Sequence, residues 1–122
     1  MSQSMPTAAK PQVLRYTVLR HEDIAEPHWD LLLEIAGQEL LVTWQIRIPP
    51  EEWHRAEAVL QAVRIGDHRR VYLDYEGPIS GDRGFVRRAA RGNWNLLSQT
   101  VDSWRVQLSG DISADLLLPS QE

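Results

Sequence analysis

Apolar and polar residues alternate with a period of two through most of the chain, the spacing of strands that bury one face. Leu14, Tyr16 and Val18 alternate with Arg15 and Thr17, and Trp29, Leu31, Leu33 and Ile35 alternate with Asp30 and Glu34. Gly37-Gln38 reads as a hairpin turn into residues 39–48, where Leu40, Val42, Trp44, Ile46 and Ile48 share one face. The pattern predicts further strands at 70–75, 84–90, 94–100, 103–109 and 115–118, with tight connections at Arg91-Gly92-Asn93 and Val101-Asp102. One segment has a different period. After Pro49-Pro50, Glu51 and Glu52 suit a helix N-terminus, and Trp53, Ala56, Leu60 and Val63 recur at helical spacing until Gly66 stops the run. About eight short antiparallel strands and one flanking amphipathic helix predict a mainly β fold, a compact closed β-barrel, because closure leaves no edge strand unpaired. A sandwich is the architectural alternative.

At 122 residues, with no internal repeat, the chain has the length of one domain. That domain is placed at 13–119, preceded by a disordered arm at 1–12 that carries Pro6 and Pro11 and lacks the apolar stretch of a secretory signal. The chain has no cysteine, which excludes a disulfide scaffold, a thiolate zinc site and a Cys nucleophile together. No run of eighteen apolar residues is present, so no membrane partner is expected and a cytoplasmic location is. The net charge of −4 argues against non-specific coating of nucleic acid, which phosphate neutralisation drives. Its distribution qualifies this. Residues 69–91 hold six arginines and three acids, a local +3 that leaves −7 for the rest. Such a cluster is either a solvated face or a seat for a polyanion.

Three side chains of metal-ligand type fall close together: His21, His28 and Asp30. Residues two apart in an extended strand face the same way, so His28 and Asp30 project side by side, with Leu32 and Glu34 continuing that face. His21 would close the clamp from the preceding strand across an acidic loop, inside the mouth of the barrel. Two imidazoles and a carboxylate leave open positions on an octahedral ion such as Mn²⁺ or Fe²⁺. A solvated His-Asp pair satisfies the same spacing. His68 and Tyr72, four residues apart and entering the strand predicted at 70–75, would share a face with Arg70 and Asp74. A histidine titrating near neutrality can contact or protonate a phosphate oxygen, and a phenol can donate beside it. A turn histidine and a wall-lining tyrosine are the plainer reading of this pair. His54, beside Trp53 and Arg55, reads as a surface residue.

In order along the chain come His21, His28-Trp29-Asp30-Leu31-Leu32-Leu33-Glu34, Trp44, His68 through Gly77, and Gly84 through Gly92-Asn93-Trp94. This series resembles the 3'-phosphoesterase domain of bacterial ligase D, and the order agrees from about Arg15 to Leu118. The resemblance implies a β-barrel with a Mn²⁺-dependent site that removes a 3'-terminal ribonucleoside or a 3'-phosphate from nucleic-acid ends. It also implies a setting in end-joining DNA repair, with a DNA ligase or polymerase as partner. It assigns the metal to His21, His28 and Asp30, and the phosphate to His68 and Tyr72.

This sequence departs from the family pattern at several positions. The arginine of the family's His-x-Asp-x-Arg run is Leu32, a carboxylate usual two residues before the second-site histidine is Gly66, and the first loop is one residue longer. The donor fork expected on the phosphate is therefore missing from the strand face that carries His28 and Asp30. Arg70, Arg47 and Arg83 are the candidates to replace it, with Arg69, Arg87 and Arg88 in the same basic stretch. Two other readings compete: a barrel of the same ancestry that binds a nucleic-acid end or a protein without turnover, and an Fe²⁺ oxygenase whose triad would be His28, Asp30 and His68.

Overall fold

The computed structural model describes residues 13–22, 25–26, 28–54, 62–79, 81 and 83–122. The strands are β1 (Leu14–Glu22), β2 (His28–Leu33), β3 (Leu40–Ile46), β4 (Ala62–Arg69), β5 (Gly77–Pro78), β6 (Phe85–Gln99), β7 (Ser103–Gly110) and β8 (Ala114–Pro119). They form one antiparallel sheet in the order β4-β3-β2-β1-β6-β7-β8, with the two-residue β5 added to β6 off that path. The alternation read from the sequence holds where it is strongest. Tyr16, Val18, Leu31, Leu33, Val42, Trp44 and Ile46 all enter the main core, together with Val106, Leu108, Leu116 and Leu118. Among the described residues, no helix is long and apolar enough to cross a membrane.

The predicted closed barrel is corrected to an open half-barrel. The path of seven strands ends at β4 and β8, which have no ladder between them. Side chains bridge the seam instead: Trp44 Nε1–H donates to the Pro119 carbonyl at 2.6 Å, and Arg64 Nη1 donates to the Ser120 carbonyl at 2.9 Å. The Arg64 guanidinium also lies 5.2 Å from the Trp44 ring and 6.0 Å from the Trp104 ring. Arg64, Asp67 and Arg69 place charge along β4, one of the ways an edge strand resists further pairing.

The predicted helix is corrected at both ends. Pro50–Glu52 form a single 3₁₀ turn, with Trp53 buried behind it and its Nε1–H on the Ile48 carbonyl at 2.7 Å. Residues 62–66 belong to β4, where Val63 pairs with Gln45 and is 56% exposed. Its helical spacing was therefore not that of a buried stripe, and pairing with β3 satisfies its backbone. Ala56 and Leu60 lie outside the described residues, as does the arm at 1–12. The strand expected at 70–75 is a 3₁₀ turn at Arg70–Leu73, which drops Leu73 into a second apolar cluster.

The connection expected at Arg91-Gly92-Asn93 is the middle of β6, a continuous strand of 15 residues. Glycine is required there by crowding. A Cβ on Gly92 would stand 1.9 Å from the Ser109 carbonyl oxygen and 2.8 Å from the Tyr16 ring. The turns at Gly37 and at 100–102 are where the pattern placed them. Gly37 takes φ 75°, Gln38 N–H donates to the Ile35 carbonyl at 3.1 Å, and Thr100 N–H donates to the Ser103 carbonyl at 2.8 Å.

Gly92→Ala should therefore destabilise the protein by about 2 kcal/mol or more, since a methyl cannot enter a backbone contact without moving a strand. Gly66→Ala, a strand position with nothing within 4 Å of the added Cβ, should be neutral or mildly stabilising. Urea denaturation of the two variants beside the wild type checks both.

Candidate metal and phosphate site

The register of the β1–β2 hairpin builds the site. His21 faces His28, Leu19 faces Asp30 and Thr17 faces Leu32, all on one side of the sheet. Tyr16, Val18, Trp29, Leu31 and Leu33 occupy the other side and pack into the main core. The candidate residues thus stand on the sheet face turned away from that core, a correction to the expected position inside a barrel mouth. That face has its own apolar layer, Leu19, Leu32, Leu41, Leu73 and Val86, with Tyr72, Tyr75 and Ile79 packed against it.

The three predicted metal ligands converge. His21, His28 and Asp30 each offer a ligand atom, and all three atoms lie within 4.8 Å of one another. Donors about 2.1 Å from an ion stand about 3 to 4 Å apart, so closing on a cation asks for small side-chain shifts. Each imidazole is anchored through its other nitrogen. His21 Nε2 bonds the Arg83 carbonyl at 2.7 Å and His28 Nδ1 bonds the Glu26 carbonyl at 3.3 Å. A carbonyl only accepts, so in the neutral rings His21 Nδ1 and His28 Nε2 carry the lone pairs, the arrangement that orients metal ligands.

Asp30 is 4% exposed, and its Oδ1 is buried with no hydrogen-bond partner. His28 Nε2 lies 3.3 Å from that oxygen, an ion pair when the imidazole is protonated. An orphaned buried carboxylate oxygen beside two oriented imidazoles fits a hard or borderline divalent cation. On the other oxygen, Oδ2, stands His68, with Nε2 at 3.6 Å. His68 Nδ1 bonds the Gly66 carbonyl at 3.0 Å, so the backbone at position 66 supplies the orientation that a carboxylate there would give.

His68 and Tyr72 are also brought together, by a route the sequence did not indicate. The 3₁₀ turn after β4 folds Tyr72 back so that the two rings meet edge to face, 5.8 Å between centroids. A cavity of about 470 Å³ opens over these groups, with His21, Asp30, His68, Tyr72, Arg69 and Arg83 at its polar walls and Leu19, Val86 and Ile79 beneath.

The remaining sequence candidates are placed elsewhere. Arg70 pairs with Glu34 and donates to the Gln38 carbonyl, and Arg47 pairs with Glu26 at 2.7 Å. Leu32, standing where the resemblance expects an arginine, is fully buried in the second apolar cluster. The sequence reading did not single out Asp67, which lines the cavity; its position beside His68 was the available signal. Nor did it foresee that Asp30 would touch His68, a contact made across β3 and therefore not local.

The electrostatics follow from this packing. Burial pushes the Asp30 carboxyl up, but His28 and His68 together outweigh burial and hold it below the ordinary range. Asp30 in turn raises the His28 imidazole against the effect of burial. Burial lowers His68, and Asp30 with the Gly66 carbonyl more than restores it, for a net upward shift.

No family model matches the chain, and no curated protein matches its sequence significantly.

With chelator present, these shifts make stability depend on pH from both sides. The depressed Asp30 contributes stability above its ordinary value near 3.8 that is lost as pH falls through the folded value. The raised histidines contribute stability below 6.5 that is lost as pH rises through their folded values. Denaturant midpoints of metal-free protein should therefore peak between those limits, and Asp30→Asn should flatten the profile.

Proposed function

We propose that the protein is a metal-dependent phosphoesterase acting on nucleic-acid 3' ends, removing a 3'-phosphate or a 3'-terminal ribonucleoside. The observation that carries this reading is the convergence of His21, His28 and Asp30 around a buried, unpartnered carboxylate oxygen at the edge of a cavity walled by His68, Tyr72 and two arginines. Held by those three ligands, a divalent cation such as Mn²⁺ would supply a polarised phosphoryl oxygen and an activated water. The chain's own groups do the rest. Asp30 ties the two halves of the site, one oxygen turned to His28 and the other to His68. His68 would hold the phosphate or give a proton to the departing oxygen, Tyr72 would donate beside it, and Arg69 and Arg83 would supply positive charge at the cavity wall. In this reading the 3' end is one prepared for a DNA ligase or polymerase in end-joining repair.

A specific observation favours a second reading, a nucleic-acid-end binding module without turnover. Leu32 is sealed in the apolar layer and Arg70 and Arg47 are engaged by Glu34 and Glu26. The bidentate grip expected on the phosphate is therefore not supplied by those positions, a loss of about a hundredfold in rate where such a contact strengthens in the transition state.

Incubation of the chain with a 3'-phosphorylated, 5'-labelled primer and Mn²⁺ should release inorganic phosphate, and chelator should abolish it. His28→Ala should lower the rate by about a hundredfold or more, the effect of losing a metal that contributes several kcal/mol. Salt-sensitive binding of the primer that survives chelation, with no metal-dependent release at high enzyme, would overturn the first reading in favour of the second.

A further inference from the structure

Beside the cavity lies a second concavity of about 400 Å³, lined by Arg69, Val71, Tyr72, Tyr75 and Pro78. Arg69 and Tyr72 line both, so the two spaces adjoin at those side chains. The Tyr72 and Tyr75 rings meet nearly at right angles, 87° with centroids 5.6 Å apart, and form a corner with half-exposed walls. The Arg69 guanidinium caps the Tyr72 ring at 5.8 Å. Val71 adds an apolar side chain that is 55% exposed.

The corner is held rigidly. Tyr75 Oη donates to the Pro78 carbonyl at 2.6 Å, and Gly77, at φ 147°, leaves room for it. A Cβ at Gly77 would stand 2.8 Å from that oxygen. Two tyrosines packed on an apolar layer need no ligand to explain them. An exposed valine, a stacked cation and a neighbouring cavity walled by His68 and two arginines are not required by packing, and they match what a planar, weakly polar base needs beside its own phosphate. The surrounding basic stretch, +3 over residues 69–91, matches the charge of the backbone that would accompany it.

We propose that this corner is a nucleobase-stacking subsite, which receives the base of the nucleoside whose 3'-phosphate enters the cavity. It rests on the function proposed above and deepens it: the substrate is recognised as a nucleoside 3'-phosphate end, through a base face that any of the four bases presents. Tyr75 is its positioning residue. It touches the base and none of the reacting atoms.

The test uses the full chain with saturating Mn²⁺ and an oligonucleotide ending in 2-aminopurine nucleoside 3'-methylenephosphonate, whose carbon–phosphorus bond resists hydrolysis. Binding should quench the terminal fluorophore, and an abasic-ended counterpart should bind about tenfold more weakly by anisotropy. Tyr75→Leu should remove the quench and bring the two affinities together, while Tyr75→Phe should retain both effects. Bound probe without quenching, or equal affinity of the wild type for both ends, overturns the subsite whatever the variants do. Mn²⁺-dependent phosphate release that persists in that case leaves the proposed function standing, whereas absence of any release sinks the function separately.

Discussion

The register of one hairpin is the constraint on which the site depends. β2 is six residues long and buried on both faces. Trp29, Leu31 and Leu33 are drawn into the main core, so His28, Asp30 and Leu32 must face the other way. A slip by one residue would put a carboxylate and an imidazole into the half-barrel and three apolar groups outside it, at a cost of many kcal/mol. The apolar residues thus fix the aim of the polar ones. The same pairing sets His21 opposite His28, which delivers the third ligand from β1 without any loop having to position it.

Within that frame Asp30 is the costly residue. A carboxylate at 4% exposure is tolerated only beside compensating charge, and His28 and His68 supply it from two different strands. The result couples the metal half of the site to the phosphate half through one side chain. It also leaves Oδ1 without a hydrogen bond, a deficit that a cation can relieve and that packing alone does not. The second apolar layer, to which Leu32 belongs, gives this group a low-dielectric floor where charge interactions are strong.

The legible parts of the sequence were those in which local spacing and tertiary position coincide. Alternation in β1, β2 and β3 gave both the strands and the inward residues, and the short spacing of His28 and Asp30 gave a shared face. The illegible parts were those in which a local signal had two solutions. Val63 fits a helical period and a strand equally well, and pairing with Gln45 decided between them. Gly92 looked like a turn, yet its glycine serves the close approach of Ser109 and Tyr16. Arg70 looked like a phosphate ligand by sharing parity with His68 and Tyr72, until a 3₁₀ turn broke the parity and Glu34 took the guanidinium.

By itself, the sequence determined the strands and apolar sides of β1, β2, β3, β7 and β8, and that two histidines and an acid share one face of a hairpin, because a period of two carries that information locally. Only the tertiary structure decided that the sheet stays open at β4 and β8, that His68 reaches Asp30 across β3, and that Tyr72 folds back to make one wall of two adjoining cavities. These outcomes are set by contacts between residues far apart in the chain, where the winning arrangement depends on the shape of what is already packed.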